Sequence, residues 1–228
     1  GQKANTATTY TGLTPTKSTA DGYTYTFDGW TTEPNGAGTY YRTGMTPKAT
    51  TDVTYYAHFL ATAIPNLEVS NSVTVLTDPV EYHNLIITSN GITSGQLVGS
   101  DNLTLTGDAY FDFAVNAKAR TWYSVAVPWQ VDAETGISVN GQTKRLGKDF
   151  DIIYYDGERR AAEGPKRTWN YVEAGDKKMH PGTLYMILFY SDAPIIRFAK
   201  EEGQPMLTTT TAVAVHSSAI ATDANWNG

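Results

Sequence analysis

A mainly β protein is what this sequence predicts, and three observations lead there. The 228 residues are skewed to Thr, Tyr and Gly, with 15 Tyr and 20 Gly, and are poor in long helix formers. Apolar and polar residues alternate with period two in many short runs. No run longer than about ten residues keeps a helical period. Short strands at regular spacing suggest a β-sandwich or a short β-solenoid.

Composition narrows the function classes. No apolar run approaches the roughly 18 residues of a spanning helix, so no direct membrane insertion is expected. A formal net charge of −6 argues against a nucleic-acid partner held by charge. Cysteine is absent, which removes disulfides, thiolate metal sites and a cysteine nucleophile. With 15 Tyr, 7 Phe and 5 Trp there is ample material for a core, so disorder is not expected.

Two compositional blocks divide the chain. Residues 1–61 contain no Ile and rely on Tyr, Phe and Trp, whereas Ile, Leu and Val are frequent from Asn66 onward. Residues 62–66 between them read as a linker, with Pro65 biasing Ile64 away from helix. The second domain is expected over 67–206, and a terminal strand with a polar tail over 207–228. In the first block Tyr23-Thr24-Tyr25-Thr26-Phe27 alternates without error, as a half-buried strand does. Trp30 breaks that parity after Asp28-Gly29, which predicts a bulge that turns the ring inward. Pro34-Asn35-Gly36-Ala37-Gly38 signals a turn. Val53, Tyr55, Ala57 and Phe59 give a second alternating face.

Strands follow in close succession in the second block. Leu67, Val69, Val73 and Val75 share parity; Leu85-Ile86-Ile87, Leu103 with Leu105, and Phe111 with Phe113 and Val115 mark the next three. Tyr123, Val125, Val127 and Trp129 form another face, and Pro128 confines that strand's end to a sheet edge or bulge. Asp149–Tyr155 is a strand closed by an Asp156-Gly157 turn. Leu184–Tyr190 is apolar on both faces, which predicts a central strand. Ile195–Ala199 follows the Ala193-Pro194 turn.

Three segments of the first block appear in a familiar order. They are Gly12-Leu13-Thr14-Pro15-Thr16-Lys17, then Phe27-Asp28-Gly29-Trp30, then Val53-Thr54-Tyr55-Tyr56-Ala57-His58-Phe59. This order is similar to the Listeria–Bacteroides repeat, also called the internalin B-repeat. The resemblance implies a small β-grasp-like module of extracellular bacterial proteins, without catalytic residues. A full repeat begins with an earlier hairpin, for which only Gln2–Thr9 remains, so the module is expected to be incomplete. Residues 66–228 resemble a module of Bacteroidetes surface proteins through Trp122–Asp132, Gly147–Gly157, Pro181–Ile187 and Asn225-Trp226-Asn227-Gly228. Gly1-Gln2-Lys3 and the final Asn-Trp-Asn-Gly both read as cuts in a longer chain. Together these resemblances imply a cell-surface, secreted setting, although no signal peptide is present in the sequence.

Chemistry-bearing patterns are sparse. Asp149 and Asp151 sit at i, i+2, and paired carboxylates hydrolyse glycosides when spaced across a cleft. A structural pairing with Arg160 is the simpler expectation. His58, His83, His180 and His216 show no ligand spacing, so no metal and no cofactor is predicted. Val131-Asp132-Ala133-Glu134-Thr135-Gly136 lacks the oxygen density of a calcium loop and reads as a turn. No G-x-S-x-G elbow and no phosphate-binding Gly loop occurs. Trp122, Trp169 and Tyr171 are the candidate ligand contacts, because sugar faces stack on aromatic rings, whereas Trp129 shares parity with Val125 and Val127 and is expected in the core. The reading is a non-catalytic extracellular fragment with a structural or adhesive role. Its expected partner is a host or microbial surface protein or a glycan. A carbohydrate-binding module, or less plainly a glycan-acting enzyme, is the alternative.

Overall fold

The structure is a computed structural model that describes residues 14–44, 54–164 and 168–206. The chain divides into two units, Gly1–Pro65 and Asn66–Gly228. Within the first, β1 (Tyr23–Thr31), β2 (Tyr40–Arg42) and β3 (Tyr56–Ala63) form an antiparallel sheet in the order β2-β1-β3. Among the described residues of this unit there is no helix. Val53 lies outside the described residues. The segment expected as a linker over 62–66 starts inside β3, because Thr62 and Ala63 pair with Thr24 and Tyr23. Only Ile64–Asn66 separates β3 from the next strand.

The register of β1 against β3 slips between Phe27 and Gly29, leaving Asp28 as the extra residue of a bulge. That slip returns Trp30 to the face of Phe27, as its parity break predicted. Gly29 is required here by space. A Cβ at this position would press on the Tyr41 carbonyl of β2. The Pro34–Gly38 turn forms as expected, with Ala37 N–H donating to Asn35 Oδ1 at 3.0 Å and Gly36 at φ 76°.

The second unit opens as a parallel β-solenoid. Its first rung is β4 (Leu67–Ser70), β5 (Val73–Val75) and β6 (Val80–Tyr82); its second is β7 (Leu85–Ser89), β8 (Gln96–Val98) and β9 (Leu103–Leu105). Each strand pairs in parallel with its counterpart one rung on, and β10 (Ala109–Phe113) continues the first column. The corner before that column is an amide ladder. Asn84 donates to Asn66 Oδ1 through both its backbone N–H and its side chain at 3.1 Å, and Asp108 N–H donates to Asn84 Oδ1 at 2.8 Å. Asn71 takes φ 53° at the next corner. The shared parity read from Leu67 to Val75 therefore fails there: Leu67 and Val69 point inward, while Val73 and Val75 are exposed.

A sandwich completes the unit, and it uses the solenoid's first column as part of one layer. The remaining elements are β11 (Trp122–Val125), β12 (Val131–Asp132), β13 (Ile137–Val139), β14 (Gln142–Thr143), β15 (Phe150–Tyr155), α1 (Gly157–Glu163), β16 (Trp169–Tyr171), β17 (Lys178–Met179), β18 (Tyr185–Phe189) and β19 (Ile196–Ala199). One layer has the order β14-β13-β19-β10-β7-β4, and the other β11-β18-β15-β16. Ile137, Ile196, Phe198, Phe111 and Ile87 from the first meet Val125, Phe150, Ile152, Tyr185 and Ile187 from the second in one buried cluster. The solenoid interior is thus continuous with the sandwich core. Sandwich and solenoid, offered as alternatives by the sequence, are both present.

Several expected elements are observed. β18 is an interior strand, β11 is an edge strand ahead of Pro128, and Trp129 is buried. Asp156-Gly157 does not make a simple turn. Asp156 caps α1, accepting the Arg159 N–H on its side chain at 2.9 Å.

Candidate functional site

Strand registry in the four-stranded sheet decides which side chains share a face. Cross-strand partners in a sheet project to the same side. Trp122 pairs with Leu188 and Leu188 with Asp151; Ser124, Met186, Ile153 and Tyr171 form the next row; Tyr155 and Trp169 form the last. All nine lie on the face away from the core, since the alternating positions Val125, Phe150, Ile152, Tyr185, Ile187 and Phe189 are buried. Seven of the nine are apolar or aromatic. Trp122 is 36% exposed, Trp169 46% and Tyr171 52%.

The three sequence-predicted contacts are therefore on one surface but not at one point. Trp169 and Tyr171 are i, i+2 on β16, about 7 Å apart. Trp122 sits on β11 at the opposite edge, three strand spacings or about 14 Å across the sheet. Half-buried Leu188, Met186 and Ile153 lie between them. Tyr155 makes an edge-to-face contact with Trp169, ring centroids 5.8 Å apart, which holds that indole near one orientation. Pattern reading missed Ile153, Met186 and Leu188. It took apolar character on both faces of a strand as double burial, whereas here one face is the core and the other is this surface.

Polar groups rim the Trp122 end. Next to Trp122, the Tyr190 hydroxyl donates to Asp151 Oδ2 at 2.8 Å, and the Arg120 guanidinium lies 5.6 Å from the Tyr190 ring centre. The bond to the Asp151 carboxylate, followed by burial, raises the Tyr190 pKa above the usual phenol value. On the other side of β16 from Trp169 and Tyr171, Asn170 joins α1 to the strand, donating to Asp156 Oδ2 at 2.6 Å and accepting from Arg159. Asp149 and Asp151 are each tied to a different partner. Asp149 accepts from the Arg145 N–H at 2.9 Å, and Asp151 is held by Tyr190.

Elsewhere several titratable groups are tied into structural pairs. His180 Nε2 lies 2.7 Å from Asp176 Oδ2, and His83 Nδ1 lies 3.1 Å from Thr106 Oγ1. His216 lies outside the described residues. Asp132 closes the Val131–Gly136 turn by accepting the N–H groups of Glu134 and Thr135. Among the described residues no group of three His, Asp or Glu is placed to hold a metal ion.

Lys178 bridges Asp132 and Glu201, at 2.7 Å from each. Burial pushes the Asp132 carboxyl up, but the Lys178 ammonium and the two turn N–H groups outweigh it and hold its pKa low. Glu201 is held low by Lys178 and by Gln130. Carboxylates with depressed folded values stabilise the fold above their ordinary pKa and lose that contribution as pH falls through the folded value. Lys178, whose pKa is raised first by Asp132 and then by Glu201, is fully charged throughout this acid range. Lys178→Gln is therefore expected to lower Tm at pH 6–7. The gap to the parent chain should close as pH falls below about 4. A gap that persists unchanged at pH 3 in calorimetry would show that the bridge does not contribute through charge.

Comparison of the chain with family models, with curated proteins and with solved structures finds no match in any of the three.

Proposed function

We propose that this chain is a non-catalytic part of a bacterial cell-surface protein with a structural or adhesive role, and that the outer face of the four-stranded sheet is its contact surface. The observation that supports this reading is the placement of exposed Trp122, Trp169 and Tyr171 on one sheet face with an apolar centre and a polar rim at one end. Contiguous exposed apolar surface of this kind is characteristic of interaction sites, and aromatic anchors dominate binding energies. The resemblance of both blocks to surface modules supports the extracellular setting. A glycan partner is the second reading, favoured by the neighbouring pair Trp169 and Tyr171, which offers two ring faces on one strand.

An array of glycans and extracellular-matrix proteins probed with the intact chain tests this, followed by single alanine variants. On a captured partner, Trp169→Ala and Tyr171→Ala are each expected to weaken binding by about 30-fold or more, the effect of losing about 2 kcal/mol at an anchor. If Trp122→Ala weakens it equally, the partner spans the whole face, as a protein surface does. If Trp122→Ala is neutral, the partner is a short glycan on the β16 pair. Undiminished binding in all three variants would remove this face as the contact surface.

A further inference from the structure

A second site lies within the second unit and has no part in the aromatic face. A cavity of about 730 Å³ opens beside β11, the edge strand of the four-stranded layer, where the six-stranded layer continues into the solenoid. Its volume falls within the roughly 300–1,000 Å³ of small-molecule sites. Phe111 and Phe113 of β10 and Ile87 of β7 line it from one layer, and Leu97 of β8 from the solenoid. Val127 and Trp129, just beyond β11, line it from the other layer. All of these except Leu97 are buried. Leu184, in the loop ahead of β18, also borders the cavity and is 57% exposed, which marks the mouth and extends the apolar path to the surface.

The chemistry of the walls selects the ligand. Among the described residues that line the cavity, none is charged. Two of its hydroxyls are already engaged by the chain itself. Ser89 donates to the Thr93 carbonyl at 3.1 Å and accepts from the Gly91 N–H at 3.2 Å, and Ser94 donates to the Gly95 carbonyl at 3.2 Å. What remains is apolar area and shape. An ion entering here would give up its hydration and meet no counter-charge. A sugar would bring more hydroxyls than the walls can pair, and water would find few partners. A hydrocarbon has no hydrogen bonds to lose, and it gains by leaving water. We propose that this cavity binds an uncharged lipid-class molecule, a hydrocarbon chain or ring system with at most a neutral head group, the head lying at the Leu184 mouth.

The test titrates N-phenyl-1-naphthylamine, an uncharged apolar fluorophore, into the full chain. A saturable rise in its emission is expected, with a single site per chain. Monolauroylglycerol, whose head is neutral, should displace the probe. Laurate, kept ionised, should need at least about 10-fold more, because no cation among the described lining residues meets its carboxylate. Leu97→Trp narrows the cavity and Leu184→Asp places a charge at its mouth. Each is expected to weaken the probe by about 10-fold or more. Leu184 is exposed, so its variant gives the test without touching the core. Trp169→Ala, on the aromatic face, should leave the probe's affinity as it is. Absence of a saturable signal would overturn the proposal, as would unchanged affinity in Leu184→Asp. Loss of binding in Trp169→Ala would place the probe on the aromatic face and overturn it too. Laurate competing as well as monolauroylglycerol would overturn the assignment to an uncharged ligand.

Discussion

Phe111→Ala is expected to destabilise the second unit by about 3–5 kcal/mol, the cost of deleting a buried aromatic ring. It should also unfold solenoid and sandwich in a single transition. The side chain is buried, with ring centres 6.4 Å from Phe113 and 6.0 Å from Phe198. Its strand is the seam of the unit. β10 pairs in parallel with solenoid strand β7, setting Phe111 opposite Ile87, and antiparallel with β19, setting it opposite Phe198. The neighbouring position Asp112 reinforces that seam through a two-pronged bond to Arg197, 2.7 Å on each side, while Arg197 also covers the Tyr110 ring. Because domain stabilities are usually about 5–15 kcal/mol, a loss of this size moves the urea midpoint far enough to read directly. Amides of Leu85 and Ile196 should lose protection together. Retained protection at Leu85 with loss at Ile196 would show that the solenoid rungs fold independently and that β10 only abuts them.

Local chemistry made much of this architecture readable before any register was known. Period-two alternation located most strands, the Asp28-Gly29 break announced the bulge, and Pro128 placed β11 at an edge because it has no N–H to donate to a neighbour. The solenoid was harder to see. Its rungs repeat through Asn66, Asn84 and Asp108, each just before a column-one strand, but the spacing between them is unequal. The second rung is lengthened by the Asn90–Gly95 turn and by a 3-10 turn at Ser100–Asn102. Asn71 hides the corner further, since a single residue at positive φ reverses the faces beyond it and leaves Val73 and Val75 outside. A search for Asn or Asp followed by Leu or Ala at strand starts would have found the ladder. For the aromatic face, residue type singled out Trp122, Trp169 and Tyr171. Only the pairing of four strands from distant parts of the chain joined them to Met186, Leu188 and Ile153, and no periodicity within one segment contains that information.

Trp30→Ala is the complementary experiment on the first unit. Trp30 is half-buried and meets Phe27 edge-to-face with ring centres 5.3 Å apart; Phe27 in turn meets Phe59 at 5.9 Å. These three rings on one face stand in for an aliphatic core, which the described residues of the unit do not form. The bulge that presents Trp30 is fastened on its other side. The Asp28 carbonyl accepts from the hydroxyls of Tyr40 and Thr43 at 2.9 Å, and its carboxylate also accepts from Tyr40. Partial exposure makes the ring less costly to delete than a fully buried one, about 2–3 kcal/mol against about 3–5. A three-stranded sheet stands near the lower limit of independent stability, so even the smaller loss is expected to exceed what the unit can absorb. Hydrogen exchange should therefore show Phe27 and Phe59 amides losing protection while Ile152 and Ile187 keep theirs. Conserved protection at Phe27 and Phe59 would mean that the bulge and the Phe27–Phe59 pair hold the sheet without the Trp30 ring.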